Sequence, residues 1–414
     1  VKPVLALAMM QALAVAAGLA QVPAAPAADL ALVGGTIYIG PAEQPILDGV
    51  VLVRGGKIAG VGKRASLRVP PAAQSLDCSG RTIVAGFWNS HVHFVEKKWG
   101  DVAILPAAEA DRQIQDMLTR HGFTSVFDLG SPWENTRRLR DRIESGEVPG
   151  PRIRSAGQGL VPPDFPVPSD DVLAMLGVMK PNLLVIADAA QAAAASRKAL
   201  EEGVDGIKIY ASSPPRTSLV EGAIRAAADE AHRAGKPVFV HCNSASDVVA
   251  ALRGGADVVV HTTPLSPWDE SIRTAMKERR AALNPTLHIW KHQARHVRIS
   301  TQERLTRTSV LQLRSWVGAG GAVVFGTDIG AVDSDPAEEY ALMADAGMTF
   351  RDILASLTTT PAGRFGDSDR LGRIADGFEA DLVILRDDPA KNVRAFDSVQ
   401  YTLRSGKFIY RTGE

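Results

Sequence analysis

The chain has 414 residues, enough for two or three domains, with 45% hydrophobic and 22% charged side chains, an ordinary globular balance. Its 46 basic and 46 acidic side chains cancel, which argues against nucleic acid or a polyanion as partner. No block of like charge marks a disordered tail.

In chain order, residues 1–28 read as a signal peptide. Lys2 supplies a basic start, Val4 to Leu19 an apolar stretch interrupted by Gln11, and AQVPAAPAA the small residues ahead of a cleavage point. Ala25 and Ala27 fit a small-x-small rule, so a mature chain is expected to begin near Ala28 or Asp29. Export to a periplasm or the medium is expected, in preference to an N-terminal anchor, because the apolar stretch is short for a span.

Residues 29–85 read as short strands in LALVGGTIYI, GVVLVRGGKIAGVG and QSLDCSGRTIVAG, punctuated by glycine pairs. Similar text returns over 367–414 in GFEADLVILRDDP, SVQYTLRSG and KFIYRTGE. A small β-sandwich assembled from both chain ends is expected. Between them, residues 86–366 alternate apolar runs with helical periods. The strand candidates end in FWNSHVHF, TSVFDLG, RIRSAGQGL, IKIYA, VFVHCN, VVVHTT, ALNPTL and VVFGTDIG. Eight such units predict an α/β chain built on a (β/α)8 TIM barrel. No G-x-G-x-x-G opens a helix, which argues against a dinucleotide site. Cys78 and Cys242 could form one disulfide, although Cys242, following His241 on a strand, is expected to point outward as an inert thiol.

The chemistry gathers at the strand ends. His91 and His93 end the first strand, Lys208 the fourth, His241 the fifth, His261 the sixth and Asp328 the eighth. In such a barrel, catalytic groups come from the C-terminal strand ends. Side chains at i and i+2 share a face, so both imidazoles of the H-x-H pair can grip one ion. A lone H-x-H is a weak signal; six candidate ligands in register with separate strands make a strong one. Lys208 in the apolar run IKIY reads either as a salt-bridge lysine or, neutral, as an amine that combines with CO2 into a carbamate, an anionic ligand able to bridge two divalent ions.

Taken with TTTPAGRFG and RLGRIADGFEADLVIL after the barrel, these motifs resemble the amidohydrolase superfamily over nearly the whole mature chain. The pattern is similar to its binuclear carboxylated-lysine branch, in particular to Xaa-Pro dipeptidase-like and imidazolonepropionase-like members. The resemblance implies two divalent ions, zinc by preference. His91, His93 and Asp328 would hold the more buried one, His241 and His261 the second, and a CO2-derived carbamate on Lys208 would bridge them. Asn89 departs from the pattern, which commonly has an acid two positions before the first histidine; that position is not a ligand.

The implied reaction is hydrolysis of the amide bond of a small substrate, a dipeptide or N-acyl amino acid by preference. Asp328 would carry the proton from water to the leaving amine. Tyr210, on the same strand face as Lys208, would donate to the oxyanion or to a substrate carboxylate, unless it is simply structural. In LHIWKHQARHVR, the i+4 series His288, His292 and His296 with Lys291, Arg295 and Arg298 reads as a cationic rim for a carboxylate or as a solvated helix. The Pro-rich stretch 159–182 reads as a lid or a rigid excursion. His121 and His232 are expected to be structural. The alternatives are hydrolysis of a cyclic amide, lactone or ester at the same site, or a catalytically inactive binding or scaffold protein. Expected partners are a small molecule or short peptide and a second copy of the chain, with no nucleic acid and no membrane span after cleavage.

Overall fold

A computed structural model describes residues 28–413 except 168, 176, 182, 214–216, 219, 220, 294–297 and 333. The leader expected over residues 1–28 lies outside this range but for Ala28. Among the described residues, no helix is long and apolar enough to cross a membrane.

Parallel strands carry the middle of the chain. Phe87–Val92, Phe123–Asp128 and Arg152–Ser155 pair in that order as one three-stranded sheet. A seven-stranded sheet runs Leu184–Val185, Leu160–Val161, Ile207–Tyr210, Val238–His241, Val258–Val260, Ala282–Asn284 and Ala322–Val323, again parallel throughout. Backbone bonds connect the two sheets at both sides. Asp205 N–H donates to Ser155 O at 2.7 Å, while Ser90 N–H reaches Phe325 O at 2.8 Å and Asp328 N–H reaches His91 O at 2.9 Å. The last strand's continuation therefore lies against the first, and His91 is brought to Asp328 across 237 positions of sequence.

Alternation along the strands sorts their side chains. Trp88, Phe127, Phe239, Val258, Ala282 and Val324 form one apolar cluster, plugged by Phe365 at 5.4 Å from the Trp88 ring and 5.1 Å from that of Phe127. The intervening Val126, Ile209, Val240, Val259 and Leu283 pack instead with helix residues such as Ile224, Val248, Ile272 and Leu313. The helices lie between the strands, for example Glu221–Arg233, Ala245–Gly254 and Ile299–Gly318. The second of these starts on a capping box, Ser244 with Asp247, and ends at Gly255 with φ +102°. Such caps hold the turn after His241 to a fixed length.

The chain ends build a separate eight-stranded sheet. Its order is Lys407–Arg411, Val399–Arg404, Leu382–Leu385, Thr82–Ala85, Leu30–Ile37, Ile46–Arg54 and Lys57–Lys63, with Gln74–Asp77 beside Leu30–Ile37. Leu382–Leu385 pairs antiparallel with Thr82–Ala85, joining the two ends directly. Leu32, Val51 and Ile83 bury against Leu382, Ile384 and Leu403. Thr82–Ala85 runs through Gly86 into Phe87–Val92, so this sheet anchors the strand that carries His91 and His93. Cys78 lies buried in it, and Cys242 is buried on the helix-facing side of its strand; both are free thiols. Burial pushes the Cys78 thiol up to about 12 and that of Cys242 well above its ordinary value, so both stay protonated and inert.

Candidate metal centre

His91, His93, Lys208, His241, His261 and Asp328 all line one cavity of about 700 Å³. Tyr210 lines it too. His91, His93, Lys208, His261 and Asp328 are buried, and His241 is partly so. His261 and Asp328 have φ of +72° and +58°, a left-handed backbone that few non-glycine residues adopt and that is tolerated where the surroundings enforce it.

Three ligand atoms converge. His91 Nε2 and His93 Nε2 lie 3.1 and 3.0 Å from Asp328 Oδ1 and 3.1 Å from each other. The proton of His91 can be placed by its neighbours. Asn284 Nδ2 donates to Val324 O at 3.0 Å, which turns Asn284 Oδ1 towards His91 Nδ1 at 3.2 Å. Nδ1 must therefore carry the proton, and Nε2 presents a lone pair. A bare Nε2 facing a carboxylate oxygen is repulsive unless a cation lies between them. Ligands 2.0–2.1 Å from a tetrahedral ion stand roughly 3.3 Å apart, close to the spacing here. This trio can hold a metal ion.

The other two histidines are oriented by the same logic. Asn243 Nδ2 donates to Ser212 O at 3.1 Å, so its Oδ1 accepts from His241 Nε2 at 3.2 Å and leaves Nδ1 as the free base. His261 Nδ1 lies 2.5 Å from Thr286 Oγ1, a hydroxyl that can accept from it, and with the proton on Nδ1 the Nε2 lone pair is free. The His261 ring is 5.1 Å from that of His91 and 4.6 Å from that of His241. Burial holds His91 down to about 4 and His241 down to about 3, and lowers His261 well below its ordinary value, so all three are neutral bases at neutral pH. Burial pushes the Asp328 carboxyl up, but positive charge at the His91 and His93 side, where a cation would lie between the bare Nε2 and the carboxylate, outweighs it and holds the carboxyl well below its ordinary range. Burial lowers the Lys208 ammonium to about 8. Its Nζ sits 5.2 Å from the centre of the Tyr210 ring. Burial raises the Tyr210 phenol, which stays a donor.

Four neighbours of the candidate ligands were not singled out from the sequence. Asn284, Asn243 and Thr286 orient imidazoles as above. Asp128, fully buried at the end of the second strand, accepts from Ser155 Oγ at 2.6 Å, from Thr136 Oγ1 at 3.3 Å and from Ser131 Oγ. Ser131 Oγ in turn accepts from the backbone N–H of Phe94, directly after His93, at 2.7 Å. Burial raises the Asp128 carboxyl, against those hydroxyl bonds and His93. Position at a strand end was the only signal for Asn284 and Asp128; for Asn243 it was the step of two from His241. Asn89, the departure noted above, accepts from His91 N–H and Thr327 N–H and donates to Thr327 Oγ1 at 2.8 Å. It fastens the first strand to the last and is not a ligand.

The expected cationic rim takes a different form. His288 is buried, and its Nδ1 lies 2.9 Å from Glu339 Oε2, while Glu339 also accepts from the backbone N–H of Leu287 and His288. Lys291 Nζ pairs with Glu338 at 2.5 Å. Neither residue lines the cavity. Arg295 and His296 lie outside the described residues, as does the His292 side chain. The regular helix is Ile289–Gln293, which leaves His288 outside it. His288 and Lys291 both pair with carboxylates of the helix Pro336–Asp345. His121 pairs with Asp397 at 2.6 Å and His232 with Asp257 at 2.7 Å, both away from the cavity.

The amidohydrolase family model matches residues 82–409. The chain belongs to the amidohydrolase family. This amidohydrolase is 23% identical over 420 aligned residues to ochratoxinase of Aspergillus niger, covering 89% of this chain and 84% of that one. It is 25% identical to the allantoinase of Deinococcus radiodurans, covering 93% and 96%. Among solved structures it superposes on a Xaa-Pro dipeptidase with methionine bound in the active site, with a TM-score of 0.77, 21% identity and coverage of 92% of this chain and 100% of the other. It is a hydrolase acting on carbon–nitrogen bonds, and the scaffold-only alternative falls away. The likeness supports the α/β architecture described above.

Proposed function

We propose that the chain is a binuclear metal-dependent amidohydrolase that cleaves the amide bond of a small substrate, a dipeptide or N-acyl amino acid by preference. In this reading the parallel strands close as a (β/α)8 barrel over 86–366, and 29–85 with 367–414 form a β-sandwich domain beside it. Export is proposed from the text of residues 1–28. The observation that carries the proposal is the convergence of His91 Nε2, His93 Nε2 and Asp328 Oδ1, with His241, His261 and Lys208 on the same cavity wall.

His91, His93 and Asp328 would hold one divalent ion, and His241 through Nδ1 with His261 through Nε2 the second. Lys208, carrying a carbamate, would contribute an oxygen to each. Bound there, divalent ions such as zinc lower the pKa of water towards about 7 and polarise a carbonyl. The protein's part is positional and protonic. Asn284 and Asn243 hold two imidazoles in the ligating tautomer, and Thr286 orients the third. Asp328, ionised at neutral pH, accepts the proton of the attacking water and returns it to the departing amine nitrogen. The Tyr210 hydroxyl donates to the carbonyl oxygen as negative charge grows there.

The test is chelation and restoration. Metal-free protein should be inert towards a panel of dipeptides and N-acyl amino acids, and zinc should restore turnover. Full turnover in the chelated protein contradicts the reading. Matched ester and amide substrates decide between an amidase and a lactone or ester hydrolase.

A further inference from the structure

The cavity wall facing the candidate ligands is apolar. Phe165, Leu173, Met179 and Leu183 come from the Pro-rich stretch after the third strand, and Val95 and Ile329 from the loops following His93 and Asp328. The stretch is pinned there. Lys97 N–H donates to Gly177 O at 2.8 Å and Met179 N–H to Val95 O at 2.7 Å, with an antiparallel bridge between Glu96 and Val178. The wall is therefore attached to the segment that follows His93. Rings lead from it to the ligands. Phe165 meets Tyr210 edge-on at 4.9 Å, Tyr210 lies 4.8 Å from His241, and His241 lies 4.6 Å from His261.

Charge is scarce on this wall. Apart from Lys208, the lysine among the described lining residues is Lys98, and Glu96 pairs with it at 2.7 Å. The remaining charges on the lining outside the candidate centre are acidic, Glu96 and Asp116. A carboxylate pressed against this wall would lose water and, among the described lining cations outside the candidate centre, meet only Lys98, already paired with Glu96. The same stretch exposes Val167 at 49% and Met175 at 77%, while its charges, Asp164, Asp170, Asp171 and Lys180, lie on the exposed side and not on the cavity lining.

We infer that the Phe165–Leu183 wall is a substrate subsite for a bulky, uncharged, apolar group, aryl or branched alkyl, attached next to the scissile amide. The inference rests on the hydrolytic reading of the adjoining ligands and narrows its substrates to amides that carry such a group. Each methylene buried there should improve binding by roughly four-fold.

Binding to metal-free protein tests the subsite independently of turnover. Calorimetry with 2-naphthamide, acetamide and succinamate should give at least about 30-fold tighter binding for 2-naphthamide than for either of the others. Phe165→Ala should weaken 2-naphthamide binding by about ten-fold, and Phe165→Tyr should retain it. Equal binding of all three probes, a preference for succinamate, or an unchanged Phe165→Ala variant would overturn the inference. In zinc-loaded protein, kcat/KM should rise by the same order from methyl to naphthyl in at least one of two series, acyl-varied or amine-varied. A flat response in both also overturns it. If 2-naphthamide binds as expected while no amide is hydrolysed with any metal, the subsite stands and the hydrolytic assignment fails.

Discussion

Asn284 decides which nitrogen of His91 carries the proton, and a single methyl group on a neighbouring residue would displace it. A Cβ at Gly326 would lie 2.2 Å from Asn284 Nδ2 and 2.8 Å from His91 Cβ. Asn284→Ala and Gly326→Ala should therefore both weaken zinc binding by roughly 10–100-fold, as loss of an orienting partner does, with little change in circular dichroism. Competition against a chromogenic chelator measures this; unchanged affinity in both variants would remove Asn284 from the site. The buried imidazoles also predict a pH dependence for the metal-free protein. His91 and His241 are held by burial at about 4 and about 3 in the fold, against 6.5 in the unfolded chain. The unfolded state then binds more protons, so stability is undiminished above pH 6.5 and falls as pH drops towards 4, by about 1.4 kcal/mol per pH unit per group. Asp328, also depressed, adds the same sign only below its unfolded value of 3.8. Urea midpoints at pH 7.5, 6 and 5 should decline in that order, and a flat series would contradict the burial of neutral histidines.

At the scale of elements, the contact between the Pro-rich stretch and the loop after His93 is a backbone contact. Met179→Pro deletes the N–H that reaches Val95 O. It should lower kcat/KM several-fold and speed amide exchange at 95–97, while exchange in the parallel strands stays slow. Unaltered exchange at 95–97 would mean that the pairing does not hold the stretch. Element positions were readable from sequence because the apolar runs are short and bounded by polar residues, prolines, glycines or caps. Thus VFVH becomes Val238–His241, and the Asp269 cap opens Glu270–Glu278 where the helical period begins. RIRSAGQGL was less legible: it splits into Arg152–Ser155 and Leu160–Val161 around Gly157, at φ +60°. The pairing of His288 with Glu339 could not be seen, since nothing in a local period shows a carboxylate 51 positions away. The same blindness applies to Asn284 and His91, 193 positions apart, whereas the candidate ligands that meet on one cavity could be picked out because a polar residue ending an apolar run stands out.

Across the whole molecule, the sheet from the chain ends is tied to the strands that carry the site. Arg152 Nη1 donates to Asp381 Oδ2 at 3.0 Å and Arg152 Nη2 to Glu379 Oε2 at 2.6 Å. Arg154 Nη2 reaches Asp367 at 2.6 Å. Asp381 is buried, so Arg152→Ala leaves a buried carboxylate without its cation and should cost about 3–5 kcal/mol. Thermal unfolding of the variant should move to lower temperature; an unchanged midpoint would show that the sheet's attachment does not depend on these contacts. The metal content of the intact chain bears on the site as a whole. Inductively coupled plasma mass spectrometry on protein purified with zinc and dialysed free of excess should find about two ions per chain, and fewer in Lys208→Ala. One ion per chain in a fully active preparation, or two in the Lys208→Ala variant, would contradict a lysine-bridged pair.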